Sequence, residues 1–296
     1  MEEGRASETA RLSAVLRAAH PVLDAQPWVF VDELAAHLAG VGDRRQVLAA
    51  VEAFRGQLAD RFSPALAERL VRGIRMDVTV RARYVEDQLA AAVDRGTGQY
   101  VILGAGLDSF AYRRLDLGGR VEVFEIDHPA TQHRKRERLA QLGLAVPPNV
   151  TFVPVDFERD TILDRLRQEG FRLEQPAFFS WLGVAWYLTE SAVFETLAQV
   201  AAAATGSQLV LEYAVREELL RGEASELLRA VGALAAGYGE PVRTEFAPED
   251  LASRVAATGF GQLEDVGAAE LDARYLAGRA DRLGFPGHLR LLTARV

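Results

Sequence analysis

Apolar positions fall into two rhythms along the chain, and the rhythm changes near residue 97. Before that point the spacing is helical. Val47, Val51, Phe54 and Leu58 recur at four, three and four residues, as one face of a helix does. Leu66, Leu70 and Ile74 follow the same spacing, and so do Val85, Leu89 and Val93. Pro21 and Pro27 are expected to break the first helical stretch, and Gly40 to Asp43 reads as a turn. No long linker follows, so residues 1–96 are expected to pack as a helical cap on a core formed by residues 97–296.

Beyond residue 97 short apolar runs alternate with helical segments. Tyr100–Leu103, Val121–Ile126, Val150–Val155, Ala177–Leu182 and Ser207–Ala214 read as buried strands, and Gly261–Val266 and Leu289–Val296 as two more. Pro154 suits an edge strand or a strand end. Between them, helices are expected from Asp127 to about Gly143, around 159–169, after the N-cap Thr189, and from Pro248 to Thr258. Residues 215–246 form an amphipathic insertion, either a lid over a ligand or a helix packed on the surface. Strand–helix alternation of this kind predicts an α/β fold whose mostly parallel sheet is covered on both faces.

Composition narrows the chemistry. The absence of cysteine excludes disulfides, thiolate-bound zinc and thiol catalysis. The polar opening MEEGRASETARL does not read as a secretory leader, and no run approaches the roughly 18 apolar residues of a membrane span. A soluble cytoplasmic protein is the expectation. A net charge of −8 argues against a nucleic-acid partner held through phosphates. The basic cluster His133-Arg134-Lys135-Arg136 reads as a solvated helix face, with an anion or partner contact as the alternative. His128 and His133 are five residues apart and share no helix face, so no metal site is expected.

The candidate chemistry sits at the strand ends. Gly104-Ala105-Gly106 follows the first strand, where missing side chains let a ligand approach the backbone. A dinucleotide fingerprint needs a third glycine for close helix packing, and this chain has Ser109 there. No lysine of a triphosphate-binding loop follows. Asp127 ends the second strand, where a carboxylate can accept both ribose hydroxyls. Asp156 ends the third and can accept from an adenine amino group, with Phe157 beside it. Either aspartate could instead merely cap the next helix. Together with the glycine turn they suit an adenosine without phosphates, which points to S-adenosylmethionine (SAM).

The succession Leu103-Gly104-Ala105-Gly106-Leu107-Asp108, Tyr112-Arg113-Arg114, Phe124-Glu125-Ile126-Asp127-His128-Pro129 and Val153-Pro154-Val155-Asp156-Phe157 resembles the leucine carboxyl methyltransferase family. The likeness is closest to its bacterial branch of SAM-dependent O-methyltransferases, including those acting on polyketides, and covers about residues 75–215. It implies a class I SAM-dependent methyltransferase fold, Rossmann-like, with seven strands of which the last is antiparallel. It also implies that Gly104 and Gly106 pack against the methionine part of SAM, that Asp127 takes the ribose, and that Asp156 and Phe157 take the adenine. Arg83 matches by position an arginine that pairs with the SAM carboxylate, with Arg81 the alternative. The expected cofactor set is Arg83, Gly104, Ala105, Gly106, Asp127, Asp156, Phe157 and Ser180. One departure stands out. Leu182 replaces a glutamate common among relatives, which leaves the SAM ammonium without that partner unless a backbone carbonyl near Gly104 substitutes.

Methyl transfer from a sulfonium mainly needs alignment of donor and acceptor. A carboxylate acceptor needs no base, whereas a hydroxyl would usually want one. His20 and His128 are base candidates or structural groups. Trp186 and Tyr187 could flank the acceptor or pack in the core. Arg113 could hold an anionic substrate or pair with Asp116. The expected activity is O-methylation of a small metabolite's carboxylate or hydroxyl. A SAM-fold binding protein without activity and a nucleotide-dependent oxidoreductase are the rivals.

Overall fold

The computed structural model describes residues 7–296; the polar opening Met1–Ala6, read above as no leader, lies outside the described residues. Ser63 starts the longest helix by accepting the Leu66 N–H, and Pro64 fills the first position, where no donor is needed. This helix, α4 (Pro64–Asp94), follows α1 (Glu8–Leu23), α2 (Ala35–Leu38) and α3 (Arg44–Ala59). Its 31 residues span about 46 Å, enough to join two cores. At one end Leu66, Leu70 and Val71 pack with Leu16, Val51 and Leu58 of α1 and α3. At the other, Met76, Val80, Tyr84 and Leu89 join the core under the sheet.

Pro21 does not break the first helix. It sits in the last turn of α1, which runs on to Leu23 and ends where the Asp24 N–H bonds the His20 carbonyl. A proline forfeits one hydrogen bond and strains the preceding turn. Here His20 is fully buried and fixed on both ring nitrogens, by Asp24 at 2.8 Å and the Val29 N–H at 3.0 Å. Tertiary contacts therefore hold the turn that the proline weakens.

The remaining elements alternate: β1 (Gln99–Leu103), α5 (Phe110–Arg113), β2 (Glu122–Asp127), α6 (Pro129–Gln141), β3 (Val150–Pro154), α7 (Ile162–Gln168), β4 (Ala177–Trp181), α8 (Glu190–Ala201) and β5 (Gln208–Ala214). After them come α9 (Glu223–Gly237), α10 (Pro248–Ala257), β6 (Gln262–Val266), α11 (Ala268–Tyr275) and β7 (Leu289–Arg295). The strand order is β3-β2-β1-β4-β5-β7-β6, parallel except for β7, which runs antiparallel to both neighbours. The class I methyltransferase topology, seven strands with the last reversed, is the architecture of this chain. Strands β1, β4 and β5 are buried along their whole length, as sheets covered on both faces require. Pro154 ends the edge strand β3, where its missing donor costs nothing. Helix α11 had no counterpart in the sequence reading, having a single buried apolar residue, Leu271, to set its rhythm. No helix among the described residues is long and apolar enough to cross a membrane.

Candidate active site

The chain leaves β1 toward β2 and β3, then returns to β4 on the other side, so a crevice opens at the carboxyl ends of β1 and β4. A cavity of about 710 Å³ fills it. Gly104 and Gly106 turn the chain there with φ of +77° and +46°. A Cβ on Gly104 would lie 2.3 Å from Val184 Cγ2, so only glycine lets this turn meet the one after β4. The Gly104 and Ala105 N–H groups both donate to the Ile126 carbonyl at 2.8 Å, tying the turn to the end of β2.

Asp127 is fixed by that same turn. One carboxylate oxygen accepts the Gly106 N–H at 2.5 Å and the other the His128 N–H at 2.7 Å. Burial raises its pKa, and the two N–H groups oppose the rise. Asp156 accepts the Glu158 N–H at 3.0 Å, and Phe157 stacks on Trp181 with ring centres 6.1 Å apart. Ser180 shares a 2.9 Å hydrogen bond with the Tyr100 hydroxyl. Gly104, Ala105, Gly106, Asp127, Asp156, Phe157 and Ser180 all line the cavity, as do Trp186 and Tyr187.

Arg83 does not. It lies on the outer side of α4, paired with Asp87 at 2.8 Å and set 5.7 Å from the Tyr275 ring. Arg81 faces the cavity in its place, because residues two apart on a helix point about 200° away from each other. Its guanidinium bonds Asp77 at 3.0 Å and Glu212 at 2.7 Å. Glu212, in the middle of β5 and fully buried, also accepts the Gly183 N–H at 2.8 Å. Burial drives the Glu212 pKa well above the usual carboxylate range; Arg81 opposes that, while Asp77 adds to it. One oxygen of each acid, Asp77 Oδ1 and Glu212 Oε1, is buried without a hydrogen-bond partner.

Arg113 also lies outside the cavity. It pairs with Glu86, bonds Ser109 Oγ at 2.8 Å, and sits 4.9 Å from the Phe30 ring; the partner of Asp116 is Arg114, at 2.8 Å. It fastens the helical cap to the first crossover instead of facing a substrate. Ser109, standing where a dinucleotide site has its third glycine, donates to Asp32 of the cap at 2.5 Å. His128 caps α6 through its own ring nitrogen, and His20 is structural. The basic cluster is solvated except for Lys135, which is buried against Glu125 at 2.6 Å. Even so, burial pushes the Glu125 pKa up to about 7.

The far end of the cavity is built from parts the sequence reading did not join. Leu70 and Ile74 of α4 and Leu227, Val231 and Leu234 of α9 line it and belong to one apolar cluster. Glu240, just after α9, accepts the Thr9 hydroxyl of α1, and Arg243 N–H bonds the Trp186 carbonyl at 2.7 Å. His288 closes this end beside β7. The spacing Leu70–Ile74–Asp77–Arg81 was the signal available for α4, one helix face ending in an arginine. Nothing local marks Glu212 or His288.

The sequence profile of the leucine carboxyl methyltransferase family matches residues 10–201. A Bacillus subtilis protein named "Putative S-adenosyl-L-methionine-dependent methyltransferase YktD" is 30% identical over 292 residues, covering 96% of this chain and 95% of its own. A Mycobacterium avium protein with the same description is 40% identical over 136 residues, 46% of this chain and 44% of its own. Among solved structures, a Thermobifida fusca chain titled a "putative methyltransferase" superposes with a TM-score of 0.58 at 17% identity, covering 99% of this chain and 96% of that one. A DUF574-family protein from Streptomyces avermitilis gives 0.56 at 18%, with 96% of each chain covered. The chain belongs to the leucine carboxyl methyltransferase family and is a SAM-dependent methyltransferase.

Proposed function

We propose that the protein methylates an oxygen, carboxylate or hydroxyl, of a small cytoplasmic metabolite, of which a polyketide-type product is one example. The observation behind this reading is a single cavity with two unlike ends. The adenosine-grade end lies at β1, β2 and β3 and the apolar end between α4 and α9, within about 710 Å³. A space of that size has room for a cofactor and a small acceptor, not for a macromolecule. The net charge of −8 agrees, since it disfavours a nucleic acid.

When bound, SAM supplies a methyl group already activated on a sulfonium. The residues' tasks are then to bind and orient. Asp127, held by two N–H groups, keeps lone pairs for the ribose hydroxyls, and Asp156 with Phe157 borders the adenine. Arg81 takes over the carboxylate role expected of Arg83, since a guanidinium facing the cavity can fork onto it. Leu182 brings no charge, but Glu212 holds the N–H of the very next residue and Asp77 lies beside it. Two acids around one arginine leave a surplus negative charge or a retained proton. The SAM ammonium can replace that proton.

Two measurements test this. Asp127→Ala should weaken SAM binding at least about a hundredfold by calorimetry while the protein stays folded; unchanged affinity would sink the ribose assignment. Screening carboxylic acids, phenols and amines for formation of S-adenosylhomocysteine tests the acceptor atom. Turnover with amines alone overturns the oxygen reading, and no turnover with any of them favours a binding protein.

A further inference from the structure

We propose that the apolar chamber between α4 and α9 is the acceptor site, that it takes a lipophilic molecule presenting a hydroxyl, and that His288 receives the proton of that hydroxyl. This deepens the oxygen-methylation reading and rests on it.

The sheet places His288 where an acceptor must stand. Because β7 is antiparallel, its first residues lie at the carboxyl edge of the parallel strands, with Leu289 opposite Ala214. Val215 N–H donates to the His288 carbonyl at 2.9 Å, fixing the residue beside the end of β5. One strand away, the end of β4 carries the Leu182–Gly183 turn of the cofactor end. Along the sheet edge the adenosine positions, the methionine positions and His288 thus succeed one another.

The side chain itself is unusual. His288 is 4% exposed and lines the cavity, and its Nδ1 is buried without a hydrogen-bond partner. An orphaned buried polar atom costs about 1–3 kcal/mol, which a fold retains where a ligand completes it. Burial keeps the ring neutral, lowering its pKa to about 4 although Asp77 pulls the other way. A neutral ring is what a neighbouring sulfonium tolerates.

The surroundings select the acceptor. Leu70, Ile74, Leu227, Val231, Leu234 and Val242 offer no polar side chain to a ligand. Arg69 bonds Glu226 at 2.6 Å and holds α9 against α4. The acids near this end are Asp77, Glu240 and, behind Arg81, Glu212; the cations are Arg81, engaged by Asp77 and Glu212, and Arg243, which is half exposed and 3.9 Å from Glu158. A carboxylate acceptor would meet like charge here, and a hydroxyl would not. In the transfer the acceptor oxygen bonds the methyl carbon and the carbon–sulfur bond breaks with its electron pair left on sulfur. The hydroxyl proton passes to the imidazole. Positive charge moves from sulfonium to imidazolium, so the closed site gains none.

Calorimetry of 4-hexylphenol and its methyl ether, 4-hexylanisole, on the S-adenosylhomocysteine complex tests the proposal. Wild-type protein should bind the phenol at least tenfold tighter than the ether, and His288→Phe should bring the two within twofold. His288→Asn replaces that variant should it not fold. Equal binding by wild type, an unchanged ratio in the variant, tighter binding of 4-hexylbenzoic acid, or binding of none of these overturns the proposal. S-adenosylhomocysteine titrated into the same wild-type samples separates the two readings: if it binds and the phenol does not, the chamber assignment alone fails, and if it does not bind, both fail.

Discussion

The two ends of the cavity are made in different ways. At the cofactor end the facing groups come from short consecutive stretches at strand ends, and the protein's own backbone already holds them. Asp127 is bonded by Gly106 and His128, and Asp156 by Glu158. At the acceptor end the facing groups come from α4, from α9 and its following loop, and from the residue before β7. Of these His288 Nδ1 is left without a partner, and so, where the two ends meet, are Asp77 Oδ1 of α4 and Glu212 Oε1 of β5. A parallel sheet aligns its strand ends whatever the helices do, so a ligand read by those ends can be shared across a family. The groups that would choose the acceptor hang on elements far apart in the chain and can change independently.

The same difference decided what was legible. All seven strands were placed within one or two residues, because all but the polar edge strand β6 are short, largely apolar runs punctuated by glycine, proline or aspartate. The glycine turn, Asp127 and Asp156 line one cavity, and could be read together because each stands at the end of a strand. Glu212 was not, since a glutamate inside an apolar run gives no sign that Arg81, 131 residues earlier, will bond it. His288 was missed for the same reason: what matters is the absence of a partner, and a sequence does not display absences. Arg113 was misassigned because Arg114, not Arg113, reaches Asp116, and its true partners Glu86 and Asp32 belong to the cap.

The strongest test of the cofactor end is the buried pair beneath Asp127. Removing one member of such a pair leaves an uncompensated charge in the interior. Lys135→Met should therefore cost about 3–5 kcal/mol at pH 8, read by denaturant unfolding. Glu125→Gln in the same background should restore most of it, since no ion then remains. The double variant losing as much as the single would mean that Lys135 contributes packing rather than charge.

At the acceptor end the corresponding quantity is the His288 proton. The unfolded ring titrates near 6.5 and the native one near 4, so between those values the unfolded chain binds more protons. Stability from this group is fully present above pH 6.5 and is lost as pH falls toward 4, by about 3 kcal/mol. Glu125 works in the opposite sense: its raised pKa favours the fold at low pH, and that advantage is lost as pH rises toward 7. The whole-protein curve mixes the two. The difference between wild type and His288→Phe isolates the first, and should grow in favour of the variant from pH 6.5 down to 4. A flat difference would mean that water reaches the ring and that the chamber is not dry.

The smallest expected effect separates the ends most sharply. Arg81 and Arg83 lie two residues apart on one helix, and the rotation between them puts one in the cavity and the other against Asp87 and Tyr275. Arg83 is half exposed, so its ion pair and ring contact are together worth under about 1 kcal/mol. Arg83→Ala should leave SAM affinity within twofold of wild type. Arg81→Gln should lower it by at least about tenfold, because a charge-assisted fork is lost and Asp77 and Glu212 are left facing each other. If Arg83→Ala were the damaging change, the register of α4 would be rotated by half a turn. The apolar face that lines the chamber through Leu70 and Ile74 would then point away from α9.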